Sequence, residues 1–123
     1  MKPIIIQTIP GEDQRYPTCG DYQELEGAYI VSITKQDNYD YEFLIAIHEL
    51  VEMWITSKRG ISELDVTDYD IQWENRPQPK ADEPGNEEDS PYKKEHRFAE
   101  NIERQIAHEI GIDWDQYSKD LKI

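Results

Sequence analysis

Cysteine is nearly absent: Cys19 is the only one in 123 residues. No disulfide can close within the chain, and this usage fits a reducing compartment. Basic side chains are also scarce, with 13 Lys and Arg against 27 Asp and Glu, for a formal charge of −14. A field this negative repels phosphate backbones, which argues against direct nucleic-acid binding. No run approaches the roughly 20 apolar residues of a transmembrane helix. Met1-Lys2-Pro3 followed by Ile4-Ile5-Ile6 is too short for a signal peptide, so a cytosolic, membrane-free protein is expected. There is no glycine-rich phosphate loop, no serine elbow and no histidine next to Cys19, which disfavours P-loop and triad chemistry. Cys19 reads as a small buried filler.

Hydrophobic residues make up 37% of the chain, below the roughly 45–50% of ordinary globular domains. Three Trp, eight Tyr and two Phe nevertheless provide bulk for one core. The length suits a single domain, residues 1–123. The β-branched run 3–9 ends at Pro10-Gly11, and the segments 21–25 and 29–34 are separated by a turn at Glu26-Gly27. Residues 11–20 read as an irregular loop. Capping side chains at Asn38-Tyr39-Asp40 predict a helix over 41–58, stopped at Arg59-Gly60. On its wheel Phe43, Leu44, Ile47, Leu50, Val51, Trp54 and Ile55 share an arc of about 140°.

Residues 60–73 predict one helical turn followed by an extended piece. Residues 74–89, rich in Pro, Asp, Glu, Asn and Gly, have almost nothing apolar to bury and read as a mobile acidic loop. Ser90-Pro91 opens a second long helix to about Glu109, stopped by Gly111. A short terminal helix carries Trp114 and Tyr117 back toward the core. The expected fold class is α+β: a short antiparallel sheet of two or three strands packed on two long helices, with a short C-terminal helix.

The chemistry concentrates in those two helices. His48 and Glu52 are four residues apart and project from one face on successive turns, the spacing by which a helix offers two ligands to a metal. His96 and Glu100 repeat it in the second helix. There His96, Glu100 and Glu103 cluster within about 60° beside the apolar arc. Carboxylates at the edge of a core are costly unless paired, neutralised or bound to a cation. Packing of the two apolar faces is therefore expected to bring His48, Glu52, His96 and Glu100 together around a divalent metal. Imidazole and carboxylate donors suit Zn²⁺, Mn²⁺ or Fe²⁺. His108, about 120° round from His96, reads as solvated. Asp65, Asp68 and Asp70 lack the glycine and distal glutamate of a calcium loop.

The run His48-Glu49-Leu50-Val51-Glu52 resembles the active-site helix of zincin metallopeptidases, whose motif is His-Glu-x-x-His with a third ligand on a later helix. The second histidine is here Glu52. The resemblance implies a zinc-type hydrolytic centre with Glu49 as general base and His96 or Glu100 completing the ligand set. More broadly, His48 through Trp54, Lys58-Arg59-Gly60-Ile61 and Tyr92 through Arg104 look like small uncharacterised bacteriophage or prophage proteins, a likeness that implies no reaction.

Three functions remain open at this point. The first is a metal-dependent hydrolase acting on a small-molecule, peptide, amide or phosphoester substrate. The second is an acidic phage-type inhibitor that imitates DNA or occupies a basic host protein. The third is a ligand-sequestering module closed by the loop 74–89. Oligomeric state is not addressed by the sequence.

Overall fold

A computed structural model describes residues 1–123. Strands β1 (Ile4–Ile9), β2 (Gly20–Leu25) and β3 (Ala28–Thr34) form one sheet in the order β1-β3-β2. The β2–β3 pair is antiparallel and joined by the two-residue turn at Glu26 and Gly27, whose φ values of 48° and 82° match a hairpin of primed type. β1 runs parallel to β3, with Ile4 opposite Tyr29 and Ile9 opposite Thr34. The sheet is thus mixed where an antiparallel one was expected. A tight turn dictates only the hairpin; residues 10–19 are long enough to pass over the end of β3 and leave β1 on its far side. Gln14 fastens that crossing by donating to the Ser32 carbonyl at 3.0 Å and the Thr34 hydroxyl at 3.1 Å.

Four α-helices complete the α+β fold: α1 (Tyr39–Lys58), α2 (Glu63–Glu74), α3 (Lys93–Glu109) and α4 (Trp114–Asp120). Asn38 caps α1 by accepting from the Asp40 N–H at 2.8 Å. Gly60, at φ 73°, ends that helix in the left-handed region where glycine is favoured. α2 replaces the expected turn-plus-extended segment. Ser62 caps it, accepting from the Asp65 N–H at 3.1 Å, and Val66 and Trp73 are buried. Its β-favouring residues, Val66, Thr67, Tyr69 and Ile71, are overridden by that packing. α3 begins at Lys93, three residues after Ser90, and Gly111 follows it at φ 76°. No helix is long and apolar enough to cross a membrane.

The core joins Val31 and Ile33 of the sheet to Leu44, Ile45 and Met53 of α1, Ala107 of α3 and Tyr117 of α4. The face that α1 buries differs from the expected arc. Phe43 and Trp54 are 49% and 37% exposed, whereas Leu44, Ile45, Glu52, Met53 and Thr56 are buried. Sheet and α3 both pack on α1, so its wheel has two apolar flanks. The polar seam between them, carrying His48 and Glu52, is turned inward.

Candidate metal centre

α1 and α3 pack antiparallel: His48 meets Glu103, Glu52 meets His96, and Arg59 pairs with Glu95 at 2.8 Å. At the middle of this seam three atoms form a nearly equilateral triangle. Glu52 Oε2 lies 3.1 Å from His48 Nε2 and 3.0 Å from His96 Nδ1, and the two ring nitrogens are 3.2 Å apart. Three ligands at right angles around an ion with bonds of about 2.1 Å are spaced by about 3.0 Å, and tetrahedral ones by about 3.4 Å. The donor set could therefore hold one metal ion through two histidines and one carboxylate.

The second nitrogen of each imidazole is also held. His48 Nδ1 is 2.8 Å from Glu103 Oε1, and His96 Nε2 is 2.9 Å from Glu83 Oε2. Glu103 is oriented in turn by the Tyr117 hydroxyl, which donates to its other oxygen at 2.5 Å. A carboxylate behind each imidazole fixes ring orientation and raises donor basicity, the usual support of a metal-bound histidine.

Without an ion, protons must hold this network. Burial opposes charge on both rings. Hydrogen bonds that the ring donates to Glu103 and Glu52 outweigh that at His48, whose pKa is raised well above 6.5. Bonds donated to Glu52 and Glu83 push His96 up to about 10. Glu52, despite its burial, is drawn down to about 2 by the two histidines. When both rings are protonated, their two N–H groups converge on one carboxylate oxygen with the nitrogens 3.2 Å apart. A single cation bound in place of the two protons would relieve their mutual repulsion.

The expected ligands are not all assembled. His48, Glu52 and His96 come together, but Glu100 does not join them. Relative to His96, Glu103 projects about 20° away on the wheel and Glu100 about 40° to the other side, so Glu103 is the carboxylate that meets α1. Glu49 is partly buried and faces the same cavity as the histidines, not open solvent. Burial, followed by the charge on Glu52, raises its pKa well above the ordinary carboxylate value. His108 is exposed, as expected. Cys19 is partly buried against the core, and burial pushes its thiol pKa up.

Sequence reasoning missed Glu83, Gly85 and Gly20. The loop expected to have nothing to pack against folds over His96 by polar contacts and one bare backbone. A Cβ at Gly85 would lie 2.4 Å from His96 Cγ and 2.6 Å from its Nδ1, so only glycine lets the loop rest on the imidazole. A Cβ at Gly20 would stand 2.7 Å from Glu49 Cγ. Asp70, dismissed as part of a calcium-like spacing, is buried on α2 and accepts from the hydroxyls of Tyr92 at 2.5 Å and Tyr16 at 2.8 Å. Burial raises its pKa to about 7. No signal short of the tertiary contacts marked these residues.

These side chains line a cavity of about 150 Å³ between α1, α2, α3 and the loop. No family model, curated protein or solved structure matches this chain.

Proposed function

We propose that the chain is a metal-binding protein that holds one divalent first-row ion, zinc or manganese, through His48, Glu52 and His96, and that it works as a zincin-like hydrolase. The observation that carries the reading is the donor triangle, with a carboxylate behind each imidazole. A surface His/Glu pair needs neither a third donor nor outer supports. An ion held there supplies Lewis acidity and an acidified water at neutral pH.

The chain's own groups do the rest. Glu49, on the same cavity wall and without a hydrogen-bond partner in the protein, accepts the proton of the attacking water and returns it to the leaving group. Its raised pKa brings it closer to neutrality, where a carboxyl both takes and gives protons. Glu103 and Glu83 keep the imidazoles aligned. The loop 82–86 narrows access of bulk water to His96.

The reading is tested by metal content of protein purified without added metal, followed by a hydrolase panel of peptide, amide and phosphoester substrates. Glu49→Gln is expected to keep the metal and the fold and to lose turnover by about 10²–10⁴-fold. If wild type and Glu49→Gln perform alike in every activity found, catalysis at this centre is refuted.

A further inference from the structure

We infer that the chain forms a two-fold dimer in which the joint outer face of α1 and α3 meets the same face of a second copy. This face lies on the far side of α1 from the cavity, and the inference is independent of the metal reading. On the α1 wheel Phe43 points about 180° away from Glu52. Phe43, Ile47, Leu50 and Trp54 follow one another at intervals of four, three and four residues, the spacing of a helix-packing seam. The chain itself leaves that seam open: Phe43 is 49% and Trp54 37% exposed.

α3 extends the face. The loop at Glu83 and Tyr117 of α4 close this helix on the side of His96 and Glu103. Its other flank, with Phe98, Ile102 and Ile106 spaced by four residues, lies beside the α1 seam, and Phe98 is 46% exposed. Three aromatic side chains of about 150–250 Å² at these exposures, with the partly exposed aliphatic ones between them, offer roughly 400 Å² of apolar surface. With its charged ends the face approaches the roughly 800 Å² that each partner contributes to a stable interface.

The ends of the face select a second copy as its occupant. Lys58 and Lys94 stand at one end, Asp40 and Glu109 at the other; all four are exposed and none has an ion-pair partner within the chain. No carboxylate interrupts the middle, because Glu49, Glu52 and Glu103 turn toward the cavity and Glu100 points about 160° away from Ile102. The order along α1 is Asp40, Phe43, Ile47, Leu50, Trp54, Lys58: apolar residues of matching size are flanked by opposite charges, about a midpoint between His48 and Glu49. Along α3, Lys94, Phe98, Ile102, Ile106 and Glu109 are centred on Ile102. His48 packs against Glu103, so the two midpoints are level. A two-fold axis through both midpoints, perpendicular to the helices, lays α1 antiparallel on its copy. Trp54 then meets Phe43, Leu50 meets Ile47, Lys58 meets Asp40, and on α3 Lys94 meets Glu109. Self-complementarity of this kind is the condition for an isologous contact, and an unrelated partner does not impose it. In a chain of net charge −14, this is where two copies can approach without their carboxylates meeting.

The test is sedimentation velocity of the full chain in about 0.15 M salt, over a concentration series reaching about 200 μM. The expected mass is about 29 kDa, twice the 14.6 kDa of one chain. Phe98→Glu, which sets a charge in the seam, is expected to weaken association by about a hundredfold or more. Lys94→Glu and Glu109→Lys alter exposed positions in the sense the helix dipole favours, and circular dichroism is expected to show both folded. Each alone is expected to weaken the dimer by about fivefold, because like charges then face each other twice. The double reversal is expected to restore wild-type association. If Phe98→Glu does not fold, the two reversals decide alone. A chain that stays monomeric throughout the series overturns the inference and leaves the face to a different protein. A dimer that the variants leave intact overturns it as well, as does a double reversal no tighter than the single ones.

Discussion

Gly85→Ala is the sharpest perturbation of the centre, because it adds one methyl group and no charge. The new carbon would lie 2.4, 2.6 and 2.8 Å from His96 Cγ, Nδ1 and Cδ2. Ordinary contact needs about 3.5 Å or more between carbons. Imidazole and loop must therefore separate by about 1 Å, roughly half the length of a metal–nitrogen bond of about 2.0–2.1 Å. If His96 moves, Nδ1 leaves the triangle. If the loop moves instead, Glu83 loses its 2.9 Å hold on His96 Nε2. Loss of an outer support alone typically costs about 10–100-fold in metal affinity, and the first route costs more. Overpacking is expected to destabilise the metal-free fold by about 1–3 kcal/mol, or several degrees in Tm at this length. Competition titration with a zinc chelator, alongside thermal melts of metal-free protein, separates the two effects. Zinc affinity within twofold of wild type would refute the claim that the loop backbone positions His96.

Two further predictions concern the same network. For metal-free protein, His48 and His96 have raised folded-state pKa values, so their contribution to stability is complete below the unfolded value near 6.5 and is lost as pH rises through the folded values, about 10 for His96. Melting curves without metal should therefore decline between about pH 6.5 and 10. The zinc-protected form should instead weaken as pH falls, because protons compete for the same nitrogens. A metal-free Tm that climbs steadily across that interval would contradict the assignment. Separately, Glu103→Gln should lower zinc affinity by about tenfold or more by weakening the support of His48, whereas Glu100→Gln should change it less than twofold; chelator competition on both variants decides which carboxylate serves the centre.

The four-residue spacing of His48 and Glu52, and the position of His96 at the edge of an apolar arc, were legible because helical periodicity alone places side chains on faces. The choice of Glu103 over Glu100 depended on the angle at which α3 meets α1, which no single helix records. The buried face of α1 is hidden for a related reason: its two apolar flanks serve two neighbours, so the wheel names a stripe without saying that the polar seam lies inside. α2 was hidden by Thr67, Tyr69 and Ile71, residues whose local preference yields to the burial of Val66 and Trp73. The composition of the acidic loop leaves it almost nothing apolar to bury. It is held by a different currency of contacts: Trp73 Nε1 to Glu87 at 3.1 Å, Arg76 to Asp89 at 3.0 Å and Glu83 to His96 at 2.9 Å. Polar pairing over long sequence distances leaves no periodic trace, which is why Glu83 and Gly85 escaped notice.

The central claim is that one divalent ion sits among three named atoms, and diffraction from zinc-soaked crystals at the zinc absorption edge tests it directly. The account predicts a single strong anomalous peak about 2.0–2.2 Å from His48 Nε2, Glu52 Oε2 and His96 Nδ1. An absence of density there, or zinc held only by the exposed acids of residues 82–89, would contradict it.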